Sequence, residues 1–244
     1  MIITLKSVDS TNSYALQNFD ALEDKTLIVA LSQTQGRGRH GRKWFSPPGL
    51  NFYGSYILKN DNLHIPSMSR FASLSVLETL KNFSPESEFK IKWPNDIYAK
   101  NRNCEFHKIS GILSEMRILP NSNKYDGCVI GIGVNLNMTD EIQKIHAPAT
   151  SIKLLTARNT DIANFAEMLL KNLNKFSTYA PELLFKLCRN EDILIGKNIT
   201  IISEDASSFS GLVKDYSIDG AIIISDKKGN LKSFYSGNII KSIL

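Results

Sequence analysis

The hydrophobic pattern of the chain changes near residue 190, and this change constrains the fold more than any other feature. Upstream, apolar runs of strand type alternate with segments whose apolar residues recur at helical spacing. Downstream, five short β-type runs follow one another, separated by Gly and Asp turns such as Asp219-Gly220. The two patterns require different architectures. We therefore predict two domains, residues 1–190 and 191–244.

The first region predicts an α+β fold, in which helices pack on a mixed sheet. Strands are expected at residues 2–5, 26–31, 51–58, 89–93, 109–116 and 128–136. Helices are expected after Ser10 and at residues 67–83, 161–179 and 181–188, with Thr160 as the N-cap of the third. The five short runs downstream predict a small β-barrel.

A basic, glycine-rich loop, GRGRHGRKW at residues 36–44, follows a predicted core strand. Lys and Arg outnumber Asp and Glu by 29 to 24 in the chain, and the four cations of this loop supply nearly all of the excess. Glycine and arginine together suit a phosphate or carboxylate ligand. The loop is not a Walker loop, because Arg42 and Lys43 stand where Lys and Ser or Thr are required. A solvated basic loop or a nucleic-acid contact remains an alternative.

Three further segments carry polar residues at strand ends. In KWPND, residues 92–96, a proline turn fixes an amide and a carboxylate that could accept a proton, hold Mg²⁺ or align an amine. Lys108 opens KISGILSE, and GIGVNLN at 131–137 delivers Asn135 to a pocket. Taken singly, the turn in KWPND and the strand GIGVNLN are more commonly a plain β-turn and a closely packed strand, and Lys108 could be a surface lysine.

The cysteines, the histidines and the apolar runs of the sequence indicate the cellular compartment and whether a structural metal site is expected. The three cysteines form no CxxC pair, and the four histidines are scattered, so neither a disulfide framework nor a structural zinc site is expected. The N-terminus, MIITLKSVDSTN, is too polar for a signal peptide, and no apolar run has the length of a membrane span. We predict a cytoplasmic protein without a metal site of its own and without a membrane partner.

Five motifs in this order resemble the biotin protein ligase family: Ser10-Thr11-Asn12, Gln33 with GRGRHGRKW, KWPND, KISGILSE and GIGVNLN. The resemblance extends from about residue 7 to residue 152. It implies a catalytic domain related to class II aminoacyl-tRNA synthetases, and residues 191–244 are similar to that family's small SH3-like domain. Because the chain starts almost at the first motif, we expect the monofunctional form, without a DNA-binding domain and without a nucleic-acid partner.

The resemblance implies a two-step reaction. Biotin and ATP, with Mg²⁺, give biotinyl-5′-AMP and pyrophosphate, and a lysine of a biotin carboxyl carrier protein then takes the biotin. Contacts to biotin are implied for nine residues: Ser10, Thr11, Asn12, Gln33, Arg37, Gly38, Arg39, Lys108 and Gly111. The same resemblance is compatible with a homodimer, and the sequence does not decide the oligomeric state.

The remaining roles concern the nucleotide and the chemistry. The resemblance assigns nucleotide contacts to Trp44, Asn95, Asn135 and Arg42, with Trp44 packing on adenine. It assigns catalytic roles to Lys108 and Arg39, and it gives Asp96 the task of orienting the incoming amine.

The sequence departs from the family pattern at two places. His40 stands where the family usually has another basic residue. Residues 97–107 are longer than a tight hairpin needs, so they form either an extended hairpin or a contact with a partner. The nearest alternative function is that of a lipoate or other acyl-acid ligase or transferase of the same superfamily. A non-catalytic basic binding module is the second, and it would bind nucleic acid in a salt-sensitive manner.

Overall fold

The computed structural model describes residues 1–60, 64–119, 124–145, 147–203 and 206–242. A first group of strands comprises β1 Ile2–Leu5, β2 Leu27–Ala30, β3 Phe52–Lys59, β4 Phe89–Lys92, β5 Asp96–Lys100, β6 Phe106–Ile118 and β7 Tyr125–Val134. The helices are α1 Thr11–Gln17, α2 Ile65–Phe83, α3 Ile152–Thr156, α4 Ile162–Phe176 and α5 Pro181–Asn190. A second group of strands comprises β8 Asn198–Ile202, β9 Ser208–Tyr216, β10 Ile222–Ser225, β11 Leu231–Phe234 and β12 Asn238–Ser242.

The first seven strands form one sheet in the order β1-β2-β3-β7-β6-β5-β4. Strands β1 and β2 are parallel, and the other neighbours are antiparallel, so the predicted mixed sheet is confirmed. On the central strands β6 and β7, Gly111 lies directly opposite Gly133. The middle of the sheet therefore carries two adjacent positions without side chains.

Helices α2 and α4 cover one face of this sheet. Alternate residues of the central strands, such as Ile112 and Ile132, are buried in the core that these helices share. Helix α4 forms because its apolar residues recur at helical spacing and its N-cap Asp161 accepts a hydrogen bond from the Asn164 N–H at 2.8 Å. The prediction of Thr160 as this cap was wrong by one residue.

The last five strands form a separate antiparallel sheet in the order β11-β10-β9-β8-β12. It has its own apolar cluster, which also takes in Trp93, Ile193 and Leu194. The Trp93 Nε1–H donates to the Gly220 carbonyl at 3.0 Å, which ties the turn after β4 to the second sheet.

Residues 97–107 belong to an extended hairpin made by β5 and the start of β6. The Asn101 N–H donates to the Glu105 carbonyl at 2.8 Å and closes its turn. A register shift between Ile97 and Tyr98 places Tyr98 opposite Lys108. The hairpin thus carries Asp96 and Lys108 on paired strands.

Across the described ranges, no helix combines the length and the hydrophobicity needed to cross a bilayer.

The packing of α4 gives a stability prediction. Leu169 is fully buried between helix and sheet, so Leu169→Ala should lower the free energy of unfolding by about 2–5 kcal/mol through lost contacts and a residual cavity. Leu154→Ala removes a leucine that is 37% exposed and should cost under about 1 kcal/mol. Urea denaturation followed by circular dichroism measures both. Equal losses would contradict the assigned packing.

Candidate functional site

A single cavity of about 1790 Å³ collects every site residue that the sequence analysis named. It lies on the sheet face opposite α2 and α4, because Gly111, Gly131 and Gly133 alternate with core residues on their strands. The predicted residues in its lining are Ser10, Thr11, Asn12, Gln33, Arg37, Gly38, Arg39, Arg42, Trp44, Asn95, Asp96, Lys108, Gly111 and Asn135.

The floor of the cavity is made of glycine backbone. A Cβ atom added to Gly133 would lie 2.4 Å from Cε2 of Trp44, and one added to Gly111 would lie 3.0 Å from its Cζ3. A Cβ on Gly131 would lie 2.5 Å from Oδ1 of Asn12. The separations at Gly131 and Gly133 are too short for real contacts, and the one at Gly111 is tight, so glycine at these positions lets the indole and the amide lie directly on the sheet.

At one end of the cavity, the start of α1 faces the strand that precedes the basic loop. The backbone N–H and the hydroxyl of Thr11 both donate to Oε1 of Gln33, at 2.9 and 3.2 Å. The Gln33 Nε2 donates in turn to the Ser46 hydroxyl at 3.1 Å. These bonds fix the amide of Gln33, and with it one polar wall of the cavity.

The basic loop is folded back on itself. The Gly38 N–H donates to the Arg42 carbonyl at 2.7 Å, and the Trp44 N–H donates to the Gly36 carbonyl at 2.8 Å. His40 and Gly41 take left-handed backbone angles, with φ of 54° and 71°. The loop therefore turns sharply, and its last residue, Trp44, lies over the glycine floor.

Three arginines of this loop reach three different elements. Arg37 pairs with Glu115 of β6 at 3.1 Å, and the Arg39 Nη1 donates to Oδ1 of Asn95 at 3.1 Å. The Arg42 Nη2 donates to Oδ1 of Asn238, on β12 of the second sheet, at 2.7 Å. The loop is thus attached to both sheets and to the proline turn.

A compact charge cluster lies beside the floor. The Lys108 Nζ is 2.6 Å from Oδ1 of Asp96 and 5.4 Å from the centre of the Trp44 ring. Lys92 lies near the same carboxylate and 3.3 Å from the hydroxyl of Tyr98. Burial lowers the pKa of Lys92, with Lys108 adding to the effect and Asp96 opposing it. Two lysines around one carboxylate leave a net positive charge, which favours an anionic ligand.

Apart from Oδ1 of Asp96, which lies 2.6 Å from the Lys108 ammonium, two buried atoms of the cavity have no hydrogen-bond partner in the part of the chain that the structure describes. They are the donor Nε1 of Trp44 and the acceptor Oδ1 of Asn135. The Asn135 Nδ2 donates to the Thr150 carbonyl at 3.0 Å, so this bond directs Oδ1 elsewhere. Since leaving buried polar groups unpaired is costly, one donor and one acceptor are available to a ligand.

Sequence reasoning missed three residues of the site. Glu115 could have been found, because residues 111, 113 and 115 of a strand share one face. Lys92 was noted only as part of its motif. Asn238 could not have been found, because no local pattern connects it with a loop almost two hundred residues earlier.

These features define an α+β protein with an open cavity that is lined by a cationic loop and a lysine–carboxylate pair. Residues 4–135, more than half of the chain, match the model of the biotin/lipoate A/B protein ligase family. The chain belongs to that family.

Curated relatives match over most of the chain. It is 29% identical over 248 residues to the bifunctional ligase/repressor BirA of Escherichia coli (strain K12). The alignment covers 98% of this chain and 73% of that protein. It is 28% identical over 235 residues to the biotin--[acetyl-CoA-carboxylase] ligase of Paracoccus denitrificans, covering 92% of this chain and 94% of that one.

A solved structure is similar as well. The biotin protein ligase from Aquifex aeolicus, in complex with biotin and ATP, superposes with a TM-score of 0.80 at 29% identity, covering 98% of this chain and 97% of that one.

The glycine floor can be tested directly. Gly133→Ala places a methyl group where the Trp44 ring lies, so the indole should leave the floor and its fluorescence should shift to longer wavelength. Overpacking should also lower the free energy of unfolding by about 1–3 kcal/mol. Gly38→Ala is the control, because its Cβ would meet nothing closer than 3.5 Å. Unchanged emission from the Gly133 variant would refute the contact.

Proposed function

We propose that this protein is an ATP-dependent biotin protein ligase. It activates biotin to biotinyl-5′-AMP with release of pyrophosphate, and then transfers biotin to a lysine of a biotin carboxyl carrier protein. The observation that carries this proposal is the cavity itself, in which a glycine floor, a cationic loop and the Lys108–Asp96 pair meet. Membership of the family and similarity to relatives named as biotin ligases support it.

The first step requires charge neutralisation more than a protein nucleophile. A carboxylate oxygen of biotin attacks the α-phosphorus of ATP, and the bond to the β-phosphate breaks as pyrophosphate leaves. Negative charge accumulates at phosphorus, so fixed cations accelerate the step. Lys108 is placed for this task beside the floor, and Arg37 and Arg39 extend from the loop above it.

The proposed recognition of adenine uses Asn135, whose Oδ1 has no partner among the described residues, together with the Trp44 ring. The exocyclic amine of adenine is a donor and suits Oδ1 of Asn135, whereas the oxygen of guanine at the same position is not a donor. The Trp44 ring supplies an apolar surface for the purine, and Asn95 and Arg42 border the same cavity. We assign these four residues to the nucleotide.

Biotin is assigned to the opposite end of the cavity. Ser10, Thr11, Asn12 and Gln33 form a hydrogen-bonded polar wall there, which suits the ureido ring, a group with both donors and an acceptor. Gly38 of the loop has no side chain, and a Cβ added there would meet nothing closer than 3.5 Å, so its backbone can approach the ligand closely. Gly111 is also assigned to biotin, and the Trp44 ring that lies on it must move for that contact to form.

Asp96 is assigned to the second step. The lysine amine of the carrier attacks the carbonyl carbon of the mixed anhydride, and AMP leaves as the amide bond forms. The amine attacks in its neutral form, and a carboxylate beside the reaction centre can orient it and accept the proton that the nitrogen loses as the amide forms. Mg²⁺ enters with ATP and offsets phosphate charge when bound, and the Asp96 carboxylate is an oxygen donor of the kind it prefers.

The domain assignment belongs to the same proposal. We assign residues 1–190 to a catalytic domain related to class II aminoacyl-tRNA synthetases and residues 191–244 to an SH3-like domain. Helix α5 ends at Asn190, and the strands of the second sheet begin at Asn198, which supports the boundary. We also place the protein in the cytoplasm, with a carrier protein as its macromolecular partner and no nucleic acid.

The proposed function is tested by the mass of the acceptor. The protein is incubated with biotin, MgATP and a biotin carboxyl carrier domain, and a parallel sample contains lipoate in place of biotin. The carrier should gain the mass of one biotinyl group, and only in the biotin sample. A lipoyl adduct, or no adduct in either sample, would overturn the assignment.

Lys108→Ala should abolish the first step. Without the cation nearest the floor, the developing charge at phosphorus is less well offset, and biotin-dependent exchange of pyrophosphate into ATP should fall by at least about 10²-fold. Lys171→Ala, on the exposed face of α4, is the matched control and should exchange normally. Near-normal exchange by the Lys108 variant would remove the residue from the mechanism.

Arg39→Ala should loosen the closed site and leave the first step working. Biotinyl-5′-AMP should leave the variant about tenfold faster, because one charged hydrogen bond to the Asn95 turn is lost. Bystander proteins should then become biotinylated non-specifically, which a streptavidin blot detects. Arg158→Ala, an exposed arginine that pairs with Glu86, is the control. Tight retention of the adenylate by the Arg39 variant would contradict this role.

A further inference from the structure

Glu115 on β6 joins the two halves of the site. Its Oε2 accepts a hydrogen bond from Nδ2 of Asn12 at 2.7 Å and an ion-paired contact from Nη2 of Arg37 at 3.1 Å. Asn12 belongs to the polar wall at the start of α1, and Arg37 belongs to the basic loop. One carboxylate oxygen therefore connects a residue of the wall with a residue of the loop above it.

The contact also decides how the Asn12 amide is oriented. Its Nδ2 donates a second bond, to the Leu113 carbonyl at 3.1 Å, and its Oδ1 accepts from the Ser55 hydroxyl at 2.5 Å. With Glu115 and Leu113 accepting and Ser55 donating, the reverse orientation of the amide would place like groups together. Glu115 and the Leu113 carbonyl together select the orientation that the cavity receives, and Glu115 makes the shorter of the two contacts.

Burial around Asn12 makes its hydrogen bond to Glu115 important for stability. Asn12 is only 3% exposed, so an unpaired Nδ2 would be costly, while Glu115 and Arg37 are partly exposed, at 26% and 44% of their side chains. Among the bonds and ion pairs described for Arg37, the contact with Glu115 is the one that reaches the sheet. Loss of the carboxylate would affect a buried amide and a surface loop together.

We propose that Glu115 is a positioning residue, which holds the loop over the empty cavity through Arg37 and presents the Asn12 amide to biotin in one orientation. The proposal rests on the proposed function for the identity of the ligand. Its mechanical part, the attachment of the loop, does not depend on that function. The two parts can therefore be tested separately.

The attachment of the loop is measured by limited proteolysis of the empty protein. The loop offers trypsin four cleavage positions, after Arg37, Arg39, Arg42 and Lys43, which mass spectrometry distinguishes from cuts elsewhere. Glu115→Ala should raise the rate of cleavage at these positions about tenfold, since opening of the loop no longer breaks a charged contact. Glu86→Gln, which removes an exposed carboxylate paired with Arg158, should leave loop cleavage unchanged.

The orientation of Asn12 is measured by the kinetics of pyrophosphate exchange. Glu115→Ala should raise KM for biotin about tenfold, while kcat changes by less than about threefold, because the buried amide loses one of its fixed partners. Glu115→Gln keeps an oxygen that can accept from Asn12 and lacks the charge that holds Arg37. It should show rapid loop cleavage together with a KM for biotin close to that of the unaltered protein.

The two experiments distinguish a failure of the Glu115 proposal from a failure of the proposed function. Wild-type rates of loop cleavage in both variants, or an unchanged KM in Glu115→Ala, would overturn the proposal. If the unaltered protein shows no biotin-dependent exchange, the proposed function fails, and the proteolysis still tests the attachment of the loop. Should Glu115→Ala not fold, the isosteric Glu115→Gln must still show rapid loop cleavage, and a wild-type rate in that variant alone would then refute the proposal.

Discussion

The absence of side chains at the centre of the seven-stranded sheet is the constraint on which the site depends. Gly111 and Gly133 lie opposite each other on β6 and β7, and Gly131 is two residues away on the same face. Any Cβ on Gly131 or Gly133 would collide with Asn12 or Trp44. Because these positions are glycine, the Asn12 amide and the Trp44 indole can lie on the backbone of the sheet. The cavity is the space that remains between them and the basic loop.

The positive charge of the molecule is concentrated around that cavity. The chain carries a net charge of +5, and the loop above the floor holds four of its cations. Arg37 meets a carboxylate, that of Glu115, whereas Arg42 donates to the neutral amide of Asn238, which leaves its charge uncancelled. Lys92 and Lys108 share the single carboxylate of Asp96. An anionic ligand would therefore enter a site that already carries the complementary charge.

Much of this arrangement could be predicted from the sequence, because local patterns carry it. Periodicity located the strands and helices, and the glycine and arginine content marked the loop. The resemblance of five motifs brought fourteen residues to one site, and the structure places all of them around one cavity. Strand β5 was left undecided, because its polar residues resemble a loop and only pairing with β6 identifies it. The contact of Arg42 with Asn238 depends on how the second sheet is placed, which no local pattern records.

The central claim is that this cavity makes and holds one acyl-adenylate of biotin. Native mass spectrometry of the full chain, incubated with biotin and MgATP in the absence of a carrier, tests it directly. We expect the protein to gain the mass of one biotinyl-5′-AMP, with free pyrophosphate in solution. A protein that carries no adenylate under these conditions, or that gains an equal amount of lipoyl adenylate when lipoate replaces biotin, would contradict the claim.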